Sequence, residues 1–215
     1  EKLIKYKEFD KGLFLLKQMI MCGQLPEQMK KFTIKAQVDG AMEALEKNDS
    51  VLAGTRFRDA FNVRFIDQDA NDRNKLNIFF VAHECNKDLT WKLQQSFDEM
   101  TKLKITSCFD ATPGSSKLDN LDENLHKSYV IVILLDNADL ENDDFATEFF
   151  KRSIRMAQCT QMKHSRTKAL VAIKLSEQVD IPFFLSDTPH VQLGNDFQQE
   201  KNKFIHEFFL KALLN

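Results

Sequence analysis

Tyr129-Val130-Ile131-Val132-Ile133-Leu134-Leu135 is the stretch on which the fold turns. No polar side chain interrupts it, so it has no face that prefers water. A strand of this kind is covered on both sides, as an inner strand of a parallel sheet is. It is also too short to cross a membrane, which takes about 20 apolar residues. No other apolar run in the chain approaches that length.

Strand-like and helix-like segments alternate around this run. Residues 76–82 (LNIFFVA) form a second short run, apolar apart from Asn77. Residues 87–101 read as a helix, with Leu89, Leu93, Phe97 and Met100 on one face around Trp91. Residues 104–109 alternate as a strand does, and 117–127 are helical with Leu118, Leu121 and Leu125 inward. After the central run, 144–161 reads as a long helix with Phe145, Phe149, Ile154, Met156 and Ala157 as its apolar positions. Residues 169–175 (ALVAIKL) are a strand, 190–193 a weak one, and 196–214 a closing helix carrying Phe197, Phe204, Phe208, Phe209 and Leu213. The class is α/β: a five-stranded parallel sheet with helices on both faces and the flavodoxin-like order 2-1-3-4-5. In such a sheet the ligand crevice opens at the carboxyl ends of the first and third strands. Here that crevice is expected to be lined by His83, Glu84 and Cys85 and by Asp136 and Asn137.

The first 66 residues show only helical patterns. Leu3, Tyr6, Leu13, Leu16, Met19 and Ile20 recur at helical steps, and Gly23 and Pro26 end that helix. A second helix runs from Glu27 to about Leu45. A third follows the Asn48-Asp49-Ser50 turn, with Ser50 as its expected cap. Gly40 and Gly54 weaken the interiors of these helices. Residues 67–75, rich in Asp and Asn, read as a linker. The expected organisation is therefore a helical segment at 1–66, a linker at 67–75 and an α/β domain at 76–215. The chain opens at Glu1 rather than Met, which reads as a fragment of something longer, and no segment reads as a signal peptide.

Composition narrows the function. A net charge of −2 argues against nucleic acid as the main partner, because phosphate binding needs a basic surplus or stripe. Cys22, Cys85, Cys108 and Cys159 are scattered with no CxxC pair, which suits a reducing cytoplasm, and the histidines sit at no zinc spacing. No metal and no resident cofactor is expected. No glycine-rich phosphate loop follows the first strand, where His83-Glu84-Cys85-Asn86 stands. Glu84, Asp136 and Asp139 at the strand ends suggest a phosphoacceptor receiver. The lysine such a site needs after the fifth strand is missing from Val191-Gln192-Leu193-Gly194. His83 and Cys85 lie two residues apart on one loop and form no readable triad.

The loop after the second strand reads Phe109-Asp110-Ala111-Thr112-Pro113-Gly114. Proline presets φ and glycine permits φ > 0, so Pro113-Gly114 makes a stiff, projecting tip. In this strand context it resembles the Asp-x-x-Pro-Gly core of the BB loop of TIR (Toll/interleukin-1 receptor) domains. Residues 78–83 stand where that family carries its first box. Asn120-Leu121-Asp122-Glu123 with the strand after it is similar to the family's second helix and third strand, and Phe208-Phe209 stands where its last helix often has Phe-Trp. The resemblance covers residues 76–215, and His83-Glu84 together with 120–123 is nearest to TRIF/TRAM-type adaptors. It implies an intracellular signalling adaptor or receptor-proximal module of innate immunity. Such a module self-associates and binds TIR domains of receptors or adaptors through Asp110, Ala111, Thr112, Pro113, Gly114 and Ser115. An alternative implied by another branch of the family is an NAD glycohydrolase, with NAD as substrate. There a Trp precedes the catalytic Glu by four residues. Here Asp144 stands at the Trp position and Glu148 at the Glu position, so the carboxylate is present and the aromatic is not.

Overall fold

The computed structural model describes residues 18–19, 26–65, 76–110, 114, 116–137, 144–164, 167–194 and 197–215. Its elements in chain order are α1 (Glu27–Glu46), α2 (Ser50–Phe65), β1 (Leu76–Val81), α3 (Lys87–Thr101), β2 (Ile105–Ser107), α4 (Lys117–Lys127), β3 (Ser128–Leu135), α5 (Phe145–Lys163), β4 (Ala169–Lys174), β5 (His190–Gln192) and α6 (Phe197–Leu214). The helix expected before Pro26 is described only at residues 18–19, which are helical, and the rest of it lies outside the described residues. So does the expected linker at 67–75.

The five strands pair in parallel in the order β2-β1-β3-β4-β5, the flavodoxin-like order. β3 is the central strand, and 130–135 are fully buried because helices cover both of its faces. Alternate residues point opposite ways. Phe79, Val81, Ile131 and Ile133 pack with Leu121 and Leu125 of α4 and Phe150, Ile154 and Ala157 of α5. Ile78, Phe80, Val130 and Val132 pack on the other side, with α3 and α6. There Phe97 stands edge-on to Phe80 at 5.7 Å and to Phe208 at 4.8 Å, offset geometries that the charge distribution of aromatic rings favours.

α1 and α2 belong to this second face. They pack on each other and on α3 and α6, and Ile34, Val38, Phe57 and Phe61 share a core with Phe209. The two glycines that weaken their helices have a steric role. A Cβ at Gly54 would lie 2.8 Å from Lys102 Cγ and 3.3 Å from the Thr101 carbonyl, so glycine lets α2 reach the end of α3. The cap of α2 differs from expectation. Asp49, not Ser50, accepts from the Leu52 amide at 2.9 Å, because the helix begins at Ser50 itself and the capping position falls one residue earlier.

A second correction concerns α5. Phe145, named among the apolar positions of this helix, is 80% exposed, and Phe150, which was not named, takes the core position at 1%. Phe145 is the first residue of the helix, where the stripe has not yet turned onto the sheet.

Candidate functional site

The loop after β2 is anchored at both ends. At its start the Asp110 carboxylate accepts from the Ser107 amide at 2.6 Å, the Ser107 hydroxyl at 3.1 Å and the Gln94 side chain at 2.9 Å. Bonds to a charged acceptor are stronger than neutral ones, so this carboxylate fixes the strand end against α3. The Asp110 carbonyl accepts from Asn120 Nδ2 at 2.9 Å, which ties the same residue to α4. At the far end, Ser116 caps α4 by accepting from the Asp119 amide at 3.1 Å. Gly114 has φ +87°, and a Cβ there would meet nothing within 4 Å. Glycine is required there for its backbone conformation, and the space around it is open. Ala111, Thr112, Pro113 and Ser115 lie outside the described residues.

Beneath the loop lies a cavity of about 160 Å³, bounded by Ala82, Glu84 and Lys87 beyond β1, Cys108 and Phe109 beyond β2, and α4 and α5. It adjoins an open groove of about 720 Å³ between α4 and α5, and Lys117, Phe145 and Phe149 line both. Leu118, Glu148, Arg152 and Arg155 complete the groove. Among the described residues, this cavity is lined from the carboxyl ends of β1 and β2, and Asp136 and Asn137 after β3 are not in its lining.

The expected site residues separate accordingly. Glu84 lines the cavity. His83, 7% exposed, turns into the protein. Its Nδ1 accepts the Cys85 amide at 3.3 Å and lies 3.1 Å from Cys85 Sγ, while Nε2 stands 3.3 Å from the Thr147 hydroxyl. An Nδ1 that accepts assigns the proton to Nε2, so the imidazole joins the end of β1 to the first turn of α5. Asp136 is half-buried after β3 and is not a wall of the cavity. Its neighbour Asn137 brackets the loop after β4, donating to the Gln178 carbonyl and accepting from the Asp180 amide, both at 3.0 Å.

Glu148 lies in the first turn of α5, its side chain 64% exposed and 3.2 Å from Lys151. Asp144 is the α5 cap. It accepts from the Thr147 amide at 2.7 Å, and that bond holds its carboxyl below the usual carboxylate range. The Cys108 thiol donates to the Ala82 carbonyl at 3.5 Å, and burial pushes it up to about 11. It therefore presents the cavity with a neutral thiol. Among the described residues no three His, Cys, Asp or Glu side chains gather as metal ligands.

Sequence reasoning missed Gln94, Ser107 and Asn120, which hold the loop, and Arg152 and Arg155, which edge the groove. Gln94 reaches Asp110 across 16 residues, and no local spacing signals such a bond. The stripe Phe145, Phe149, Arg152 at steps of four and three was readable.

No family model and no curated protein matches the chain. Among solved structures it is similar to the TIR domain of the Toll-related receptor TRR-2 of Hydra magnipapillata, at 13% identity and TM-score 0.45, over 63% of this chain and 96% of that one.

Proposed function

We propose that residues 76–215 act as a TIR domain. In this reading the protein is a cytoplasmic adaptor or receptor-proximal module of innate immune signalling. It assembles with copies of itself and with TIR domains of receptors or adaptors through residues 110–115. The observation that carries the reading is the doubly anchored loop after β2. Asp110 is held by α3, α4 and the strand end, and the following helix is capped at Ser116. A segment fixed at its base loses little freedom on docking, so more of its contact energy is available for binding. His83-Glu84 and residues 120–123 favour a TRIF/TRAM-type adaptor within that class. Asn120 within that segment also has a physical task here, because it braces Asp110.

The test replaces Pro113 with His in the full chain and follows self-association and capture of receptor and adaptor TIR domains. The expected result is loss of both with an unchanged circular dichroism spectrum. Unchanged association in a folded variant would sink the reading.

One observation favours a second reading as an NAD glycohydrolase. Glu148 stands in the groove that adjoins the cavity, beside Phe145, Phe149 and Arg152. A carboxylate there could stabilise positive charge on a ribose as nicotinamide departs. Against it, the position four residues before Glu148 holds the capping Asp144 rather than an aromatic. Incubating the concentrated protein with NAD decides the matter. Nicotinamide formed by the parent chain and not by Glu148→Gln would establish the activity, and no nicotinamide would exclude it.

A further inference from the structure

We propose that His126 and His164 form a binding site for a divalent transition-metal ion, Zn²⁺ in the first place, which clasps the carboxyl end of α4 to that of α5. The site lies where β3 and β4 begin, at the edge of the sheet away from the loop at 110–115, and does not depend on the reading of that loop.

His126 stands in the last turn of α4, and His164 caps the end of α5. Their ring centroids are 6.2 Å apart, with the planes at 75°. Metal–nitrogen bonds of about 2.0–2.1 Å put two imidazoles on one ion with their centroids roughly 5–6 Å apart. Both histidines are exposed, so a small rotation of the side chains closes the difference.

The state of the rings suits this task. His126 Nδ1 lies 2.9 Å from the Asp122 carbonyl. A carbonyl only accepts, which assigns the proton to Nδ1 and leaves the lone pair on Nε2. A ring N–H bonded to a carbonyl is the usual support of a metal-binding histidine, because it fixes the tautomer and the orientation. The Asp122 carboxylate, 3.5 Å from the same nitrogen, adds a negative charge beside the ring. The His164 ring makes no hydrogen bond among the described residues, so either of its nitrogens can bind.

One residue holds both backbones in place. The Lys168 amide donates to the His164 carbonyl at 2.9 Å, and its buried ammonium donates to the His126 carbonyl at 2.6 Å and to the Ser128 carbonyl. The two histidines are thus set at a fixed separation before any ion arrives, so little freedom is lost on binding. The ammonium opposes a second cation, but two helix carboxyl ends converge here, and their partial negative charges favour one. Among the described residues no third His, Cys, Asp or Glu joins the pair. Two imidazoles with water completing the sphere suit Zn²⁺, Ni²⁺ or Cu²⁺ rather than Mg²⁺ or Ca²⁺, which take oxygen. The two histidines come from different helices, so no spacing in the sequence signals the pair.

Calorimetric titration of the full chain with zinc sulfate tests this. One Zn²⁺ per chain is expected to bind, to raise Tm, and to be removed by EDTA. His126→Ala and His164→Ala should each weaken binding at least about tenfold, the equivalent of 1.4 kcal/mol, and abolish the rise in Tm. Both changes fall on exposed side chains, and circular dichroism checks the fold. Cys85→Ser with Cys159→Ser removes two exposed thiols and should leave the affinity unchanged. The proposal is overturned if the chain takes up no zinc, if either histidine variant binds as its parent does, or if the thiol variant loses the site. A zinc-dependent rise in mass by sedimentation velocity that either histidine variant abolishes also overturns it, because the ion would then join copies rather than helices. Each of these outcomes leaves the loop reading standing.

Discussion

The rings of Phe57 and Phe209 lie 4.4 Å apart at 33°, joining a helix before the sheet to the last helix after it. Both rings are fully buried. Phe209 also contacts Phe61 at 5.9 Å and Phe97 at 6.1 Å. Truncating either ring removes contacts from two elements at once. Phe57→Ala or Phe209→Ala is expected to cost about 3–5 kcal/mol, the usual range for a buried phenylalanine. The double variant should cost less than the sum, because the residues touch. Urea unfolding curves of the three variants measure both effects.

Asp110 is the hinge on which the loop base depends. Asp110→Ala leaves the Ser107 amide and the Gln94 side chain without their acceptor. The amide of Ser107 should then exchange with deuterium about tenfold faster, the equivalent of one lost hydrogen bond. Amides of β3 should be unaffected. Equal acceleration in β3 would mean that Asp110 supports the whole sheet rather than the loop.

Cys108 and Cys159 should differ in reactivity. Cys159 is exposed on α5, whereas the Cys108 thiol is held neutral up to about 11 by burial. Alkylation followed by peptide mapping should show Cys159 reacting at pH 8 while Cys108 remains unmodified. The linkage has a sign. A pKa raised in the folded state gives stability that is complete below the ordinary value of 9.0 and is lost as pH rises through about 11. Cys108→Ala should therefore flatten the alkaline end of the stability profile.

Asp144 works in the opposite direction. Its carboxyl is lowered, first by the bond from the Thr147 amide. Its contribution is present above the ordinary 3.8 and disappears as pH falls through the lowered folded value. Asp144→Asn keeps a capping side chain without the charge. The difference in Tm between parent and variant should shrink between pH 7 and pH 2. A constant difference over that range would show that charge has no part in the cap.

The sheet was legible because 78–81 of β1, 129–135 of β3 and 169–173 of β4 read as apolar runs, almost all of them buried. Their helical partners announced themselves by spacing. What escaped was set by distance or by rotation. Asp110 could be seen as a loop residue, yet the Gln94 and Asn120 that fix it lie on other helices. His83 and Glu84 are adjacent, but the turn after β1 sends one ring inward and one carboxylate into the cavity. Phe145 and Phe150 show the same limit: both are apolar and on one helix, and only the turn at which α5 meets the sheet decides which is buried.

The outer strands β2 and β5 are each only three residues long. Such a short rim offers little backbone for a foreign strand to zip onto. Under the proposed self-association, copies of this protein would then be joined by side chains and loops, not by continuous cross-β ladders. Assemblies of the kind proposed above should then come apart on dilution instead of maturing into fibrils that persist.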